Sequence, residues 1–159
     1  MKNFIKYFFA LTLVFTGCSE DDQSENLIQD NGVVFNPLQA NPAPQPRDCE
    51  SSSSLIGESR ELRISTIYGI SGTVTIVSDC EIEISNFFYN GTGPNISVYA
   101  GVNGDFEGGV NMSEPINGQR FEGETLNLFL PEGTSFNEFN SISIWCYEFD
   151  VDFSSASFE

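Results

Sequence analysis

Hydrophobic and polar residues alternate along the chain from about residue 55 onward. Val74 and Ile76 alternate with threonines, and Ile82 and Ile84 alternate with glutamates. The same period recurs in three later stretches, which cover residues 96–100, 126–130 and 142–144. Strict alternation is typical of strands with one buried face, and no stretch has the period of a helix. We therefore expect an all-β domain, a β-sandwich or flattened barrel of about seven to nine antiparallel strands.

Three Asn-Gly pairs indicate tight turns between these strands. The pairs are Asn90-Gly91, Asn103-Gly104 and Asn117-Gly118, and each falls between two alternating stretches. Asn and Gly readily adopt the positive φ that a two-residue hairpin turn needs, so each pair predicts a hairpin. The last stretch changes parity near Tyr147, which predicts either a β-bulge or one long strand that is covered on both faces at its start.

Residues 1–17 have the pattern of an export signal rather than of a structural element. Lys2 and Lys6 precede an apolar run over residues 8–15, which is too short to span a bilayer, and Thr-Gly-Cys18 follows. This arrangement resembles a bacterial lipoprotein signal, in which Cys18 would be lipidated and become the first residue. We therefore expect an extracytoplasmic, membrane-anchored lipoprotein of the outer membrane. It would be surface-exposed if the acidic residues 19–22 act as an export tag.

Residues 18–54 are predicted to form a flexible, lipid-anchored tether that leads to the β domain at residues 55–159. Acidic residues follow Cys18, prolines recur between residues 37 and 46, and serines occupy residues 51–54. Proline stiffens such a segment, and polar low-complexity stretches have too few apolar side chains to form a core.

The net charge of the chain argues against several classes of binding partner. The formal charge is −17, and without the two lysines of the predicted signal four arginines and 23 acidic residues give −19. Phosphate backbones bind clustered Lys and Arg, so we expect no nucleic-acid partner. The same charge repels anionic lipids, so membrane attachment is expected through the lipid on Cys18.

Histidine is absent from the chain. Its absence excludes Ser-His-Asp and Cys-His catalysis and imidazole-based metal sites, so neither an enzyme nor a metal protein is favoured.

Separated motifs from residue 71 onward resemble one known family. They are Ser-Gly-Thr-Val-Thr-Ile at residues 71–76, Gly91-Thr92-Gly93-Pro94, the Leu-Phe-Leu-Pro of residues 128–131, and Trp145-Cys146 with the tail that follows. These motifs resemble the DM-thirteen domain, which occurs beside DOMON domains in animal proteins and alone in bacterial ones. The resemblance implies electron transfer or redox chemistry through Cys146, as a bare thiol or by holding a prosthetic group, with an unidentified redox protein as partner. One departure is Ser154, where the family usually has glycine.

Three cysteines remain besides Cys18, and they allow one disulfide and one free thiol. Disulfides persist in exported proteins. Cys80 has the parity of the neighbouring buried isoleucines, so a Cys80–Cys146 bridge between two core strands is the first choice. Cys49–Cys80, which would tie the tether to the domain and leave Cys146 free, is the alternative. A thiol buried among isoleucines would be inert, so a structural role for Cys146 also stays open.

A second functional hypothesis is a non-catalytic binding or adhesion module for a glycan or a protein. Phe88 and Tyr89 lead into the Gly-Thr-Gly-Pro motif, and consecutive aromatic residues cannot all face one side of a strand. At least one ring is therefore expected at the surface, and Trp145 is a third binding candidate.

Haem ligation would use Cys146 with Met112, but the sequence has no Cys-x-x-Cys-His attachment motif. The absence of a cofactor is the first expectation, and haem without covalent attachment stays open as a minor alternative.

Overall fold

The computed structural model describes residues 43–159, which fold as a sandwich of two antiparallel sheets. The all-β prediction is confirmed, because eight strands form and no helix occurs within this range. The strands are β1 (Ser59–Glu61), β2 (Ser71–Ile76), β3 (Glu81–Tyr89), β4 (Ile96–Val102), β5 (Asp105–Asn111), β6 (Phe121–Phe129), β7 (Ser141–Cys146) and β8 (Val151–Ser157). Their order is β1-β2-β3-β6 in the first sheet and β5-β4-β7-β8 in the second.

The predicted signal peptide, Cys18 and the first part of the predicted tether lie outside the described residues. Between residues 43 and 159 the chain forms no helix long and apolar enough to cross a bilayer.

The core lies between the inner faces of the two sheets, where the alternating apolar residues meet. Val74 pairs with Ile84 in the first sheet, and Val98 pairs with Ile144 in the second. All four side chains are fully buried. Burying one such side chain contributes about 1.5–3 kcal/mol, so these strands hold their register strongly.

The three Asn-Gly pairs do not have the same role. Asn103 and Gly104 have φ values of 53° and 82° and join β4 to β5 in a two-residue hairpin, as predicted. The hairpin prediction is wrong for Asn90-Gly91 and Asn117-Gly118, because β3 and β4, and likewise β5 and β6, belong to different sheets. Each of these connections crosses between the sheets and needs more residues than a tight turn.

The parity change near Tyr147 is a strand reversal rather than a bulge or one long strand. β7 ends at Cys146, residues 147–150 turn with Asp150 at a φ of 51°, and β8 returns beside β7. All six residues of β7 are buried because the strand is covered on both faces. The bulge lies farther on, in β8, where the pairing skips Phe153.

The β1 side of the first sheet is tied to β8 of the second. The Arg63 backbone N–H donates to the carbonyl of Ser155 at 3.0 Å, and the buried Ser154 hydroxyl donates to the carbonyl of Arg63. Ser154 therefore lies inside a strand, and its hydroxyl makes a contact that a glycine would lack.

Residues 43–54, which the sequence analysis assigns to the tether, contact the sandwich. Cys49 forms a disulfide with Cys80, just before β3. The Arg47 guanidinium donates to the carbonyls of Leu130 and Pro131, at 2.5 and 2.9 Å. Because successive strands reverse direction, this disulfide lies at one end of the sandwich and Cys146 lies at the other. We call these the disulfide end and the Cys146 end.

Candidate functional site

Cys146 is a free, completely buried thiol at the last position of β7. It pairs with Ile96 of β4 on one side and Val151 of β8 on the other. Its Sγ donates a hydrogen bond to the carbonyl of Pro94 at 3.1 Å. The thiol is therefore held between two strands and closed off by the loop that precedes β4.

The predicted first choice of disulfide, Cys80–Cys146, is wrong. Cys80 pairs with Cys49 instead, and Cys146 stays reduced. Parity correctly placed both side chains inside the domain, since both are buried. It could not show that Cys80 precedes β3 at the disulfide end, whereas Cys146 lies near Tyr89, where β3 ends. The length of a nine-residue strand separates the two sulfurs, which prevents a bridge.

Residues 90–95, which we call the cover loop, lie over Cys146. The Tyr89 hydroxyl donates to the carbonyl of Thr92 at 2.7 Å, and the Asn90 side-chain oxygen accepts from the Thr92 N–H at 2.9 Å. The Tyr147 N–H donates to the carbonyl of Asn95 at 3.3 Å. These bonds fix both ends of the loop above the thiol.

Gly93 is required at the centre of the cover loop. Its φ is 119°, and a Cβ at this position would lie 2.6 Å from Ile96 Cδ1 and 3.0 Å from the Phe153 ring. Phe153 stacks on Tyr68 with ring centroids 3.9 Å apart. A side chain on Gly93 would therefore strain the backbone and force the Ile96 side chain, the Phe153 ring or the cover loop to move.

Two tyrosines near Cys146, Tyr89 and Tyr147, have raised pKa values. Burial, followed by proximity to Tyr68 and Cys146, raises the pKa of Tyr89 to about 12. Burial raises the pKa of Tyr147 as well, with smaller contributions from Cys146 and Glu148. Both phenols therefore stay neutral at ordinary pH, and the Tyr89 hydroxyl is used to hold the cover loop.

The family model described as Electron transfer DM13 matches residues 64–158 of this chain. This range includes Cys146, the cover loop and all strands from β2 to β8. The chain belongs to the DM13 family. The resemblance of the Gly-Thr-Gly-Pro and Trp-Cys motifs is thus confirmed, and the two motifs meet in space at the Cys146 thiol.

Two curated relatives are isoforms of the protein Skeletor from Drosophila melanogaster. Isoforms B/C and isoforms D/E are each 31% identical to this chain over 97 residues, which is 57% of the chain. The match covers 12% of isoforms B/C and 6% of isoforms D/E, so the DM13 domain is a small part of each relative. No solved structure matches the chain.

The three binding residues predicted from the sequence do not form one site in the DM13 domain. Phe88 is 44% exposed and Tyr89 is buried, yet both line one open groove of about 290 Å³. Trp145 is buried on the opposite face of β7 from Cys146, where it packs against Phe106 at 5.7 Å between ring centroids. Gly101 leaves the space that the Phe106 ring occupies. Trp145 therefore closes the outer face of the second sheet.

Cys146 and Met112, the two ligands of the haem alternative, both lie inside the packed core of the DM13 domain. Both side chains are completely buried, and the Cys146 sulfur is already hydrogen-bonded to Pro94. A haem would need a large space beside the sulfur, where Ile96 and Val151 flank its strand position. Within residues 43–159 no cluster of three or more Cys, Asp or Glu side chains is arranged to hold a metal ion.

Sequence reasoning missed Asp79, whose carboxylate organises the disulfide end. Asp79 is 6% exposed and accepts hydrogen bonds from the backbone N–H groups of Ser52 and Ser53 and from the Ser52 hydroxyl. These bonds lower the pKa of Asp79, and the hydrogen bond from the Ser52 hydroxyl makes the largest contribution. The Ser-Asp-Cys sequence of residues 78–80 offers a signal, since an Asp in a turn before a strand often accepts backbone N–H groups.

Proposed function

We propose that this protein is an electron-transfer module in which the Cys146 thiol is the group that is oxidised and reduced. The observation that carries the proposal is the placement of Cys146. It is the free cysteine of residues 43–159, it lies where the two family motifs meet, and the cover loop encloses it through the Pro94 carbonyl. Membership of an electron-transfer family supports a redox role for the domain.

The proposed step is a one-electron oxidation of the thiol by a one-electron acceptor. The Cys146 sulfur gives one electron to the acceptor, its S–H proton passes to solvent when the cover loop opens, and a thiyl radical forms. One electron and one proton restore the thiol in the reverse step. Burial under the cover loop protects the radical from water and from other thiols, which would otherwise trap it as a disulfide or an oxygen adduct.

Hexachloroiridate(IV), a small one-electron oxidant, tests this proposal on the purified protein. We expect the wild-type protein to consume one more equivalent of oxidant than Cys146→Ser, and freeze-quenched samples to give a cysteine- or tyrosine-centred radical by electron paramagnetic resonance. Cys146→Ala serves as a second variant, since alanine leaves no buried hydroxyl. Equal consumption by the wild type and by a folded variant would refute the redox role of Cys146.

We also propose that the domain is held outside the cytoplasm by a lipid on Cys18. The leader pattern of residues 1–17 supports this location. The Cys49–Cys80 disulfide adds support, because disulfides persist in oxidising compartments. Labelling of bacteria that express the full chain with an alkyne-tagged fatty acid tests the anchor. We expect the label on the wild type and none on Cys18→Ser, whereas an unlabelled wild type would contradict the anchor.

The groove beside Phe88 supports a second candidate function, a glycan-binding module. Phe88 lies over Gly123 with its ring exposed, and Arg120 and Glu122 border the groove with polar groups. An exposed ring beside polar side chains suits a sugar, because its apolar face stacks and its hydroxyls bond. A glycan array distinguishes the candidates. Binding that Phe88→Ala abolishes and Val102→Ala retains would favour the groove, and a blank array would remove this candidate.

A further inference from the structure

Exposed apolar side chains concentrate at the Cys146 end of the sandwich. Among the described residues, seven large hydrophobic side chains are at least 43% exposed. Two of them, Val77 and Val102, lie at the disulfide end. The other five lie at the Cys146 end and are Ile64, Ile67, Phe88, Phe149 and Val151. Single exposed hydrophobic residues are ordinary, but a group of them at one end marks an interaction surface.

Four of these residues come from two segments that are fastened together. The loop after β1 carries Ile64 and Ile67, which are 73% and 78% exposed. The β7–β8 turn and the start of β8 carry Phe149 and Val151, which are 62% and 44% exposed. Two contacts join these segments. Arg63 forms an ion pair with Asp152 at 3.0 Å, and the Tyr68 ring stacks on the Phe153 ring. We call the surface formed by Ile64, Ile67, Phe149 and Val151 the apolar tip.

The apolar tip covers the buried thiol. Val151 pairs with Cys146 across β7 and β8. Tyr68, one residue after Ile67, stacks on Phe153 beside Gly93, and Gly93 precedes the proline whose carbonyl accepts the Cys146 hydrogen bond. A molecule seated on the tip would thus lie at the same end of the sandwich as the sulfur, with Val151 and the cover loop between them.

The charges around the tip select its partner. Arg63 is paired with Asp152, whereas the carboxylate of Asp150 is exposed and that of Glu148 accepts a hydrogen bond from the Asn95 amide at 2.6 Å. The unbalanced charge at the tip is therefore negative, and so is the charge of the whole chain. An anionic lipid surface and a second copy of this chain would both be repelled, whereas a basic partner would be attracted.

We infer that the apolar tip binds a protein whose contact surface is apolar and bordered by Lys and Arg side chains. The identity of this protein as the electron-exchange partner of Cys146 rests on the proposed function. The binding surface itself does not, because it is formed by side chains other than the thiol.

Cytochrome c, a basic haem protein whose exposed haem edge is surrounded by lysines, is a suitable probe. We expect calorimetry at low salt to detect a complex that weakens as salt is added. The double variant Ile64→Ser/Phe149→Ser should bind at least about tenfold more weakly, which corresponds to about 1.4 kcal/mol. The matched control Val77→Ser/Val102→Ser, at the disulfide end, should bind like the wild type, and so should Cys146→Ser.

Four outcomes would overturn the inference. They are the absence of a salt-dependent complex, an equal loss of affinity in the tip variant and the control variant, binding to phosphatidylglycerol vesicles through the tip, and self-association that the tip variant abolishes. The iridate experiment reports on Cys146 alone. Oxidation without tip binding therefore refutes only this inference, and tip binding without Cys146 oxidation refutes only the redox function.

Discussion

Asp79 determines how the N-terminal segment is held against the sandwich. Its two carboxylate oxygens accept from the Ser52 N–H at 2.9 and 3.0 Å, from the Ser53 N–H at 2.7 Å and from the Ser52 hydroxyl at 2.6 Å. Hydrogen bonds to the charged form favour ionisation, which is why the pKa of Asp79 is lowered despite its burial. The segment therefore depends on a negative charge at this one position.

Asp79→Asn should reduce the thermal stability of the protein in a pH-dependent way. A lowered folded pKa stabilises the protein fully above the ordinary Asp pKa of about 3.9, and this contribution is lost as the pH falls through the folded pKa. We expect the melting temperature of the wild type to exceed that of the variant at pH 7, with the gap closing below about pH 4. Asp150→Asn, an exposed control, should show no such gap. A constant gap down to pH 2 would contradict this role.

Tyr89→Phe should make Cys146 more accessible without changing the core. The substitution removes only the hydroxyl that donates to Thr92 in the cover loop. Losing one such bond costs about 1 kcal/mol, so local opening should increase about fivefold. The rate of native-state alkylation of Cys146 by iodoacetamide measures this opening. Tyr99→Phe, outside the cover loop, should alkylate at the wild-type rate, and equal rates in all three proteins would show that Tyr89 does not hold the loop.

At the scale of elements, the β4–β5 hairpin depends on Gly101. A Cβ at this position would lie 2.2 Å from the Asp105 carbonyl oxygen and 2.6 Å from the Phe106 ring. Gly101→Ala should therefore destabilise the protein by about 3 kcal/mol, the upper part of the usual range for overpacking. Gly108→Ala, in the same hairpin with open space around it, should change stability by less than about 0.5 kcal/mol. Urea unfolding of both variants measures the difference, and similar values would be inconsistent with this packing.

The alternating pattern predicted the strands well, because a strand with one buried face needs an apolar residue at every second position. The core isoleucines of β3, β4 and β7 and the Asn103-Gly104 hairpin were all predictable from local sequence. The assignment of strands to sheets was not, so two Asn-Gly pairs were interpreted as hairpins although they cross between sheets. For the same reason parity could place Cys80 and Cys146 inside the domain but could not separate them along its length.

The candidate site was only partly predictable. Cys146, the Gly-Thr-Gly-Pro residues and Trp145 were singled out, but their contacts are long-range. Nothing in the sequence showed that the Pro94 carbonyl accepts from Cys146, or that Tyr68 and Phe153 support Gly93. Such contacts depend on how the two sheets are aligned, which local patterns do not specify.

The disulfide contributes to the stability of the whole molecule. Cys49 and Cys80 are 31 residues apart, and closing a loop of this length stabilises a protein by about 3–4 kcal/mol. In the double variant Cys49→Ala/Cys80→Ala, the free energy of unfolding measured in urea should fall by this amount. Hydrogen exchange should become faster in residues 43–54. Exchange in β7 should change less at a pH where the variant stays folded. An unchanged urea midpoint would mean that the segment contributes nothing to stability.

At the scale of the whole molecule, the sandwich separates its two kinds of cysteine chemistry. The disulfide and Asp79 hold the incoming chain at one end, and the reduced thiol lies under the cover loop at the other. The separation prevents thiol–disulfide exchange within the folded chain, since Cys146 cannot reach the bridge. The redox proposal depends on this arrangement, because it requires a thiol that stays free in an oxidising compartment.

Differential alkylation with peptide mapping tests that requirement most directly. The purified protein is treated with iodoacetamide without reductant, first folded and then in denaturant, and each cysteine peptide is identified by mass spectrometry. We predict slow labelling of Cys146 in the folded protein, rapid labelling after unfolding, and a linked Cys49–Cys80 peptide throughout. A linked Cys80–Cys146 peptide, or equally fast labelling of Cys146 in both states, would contradict the account.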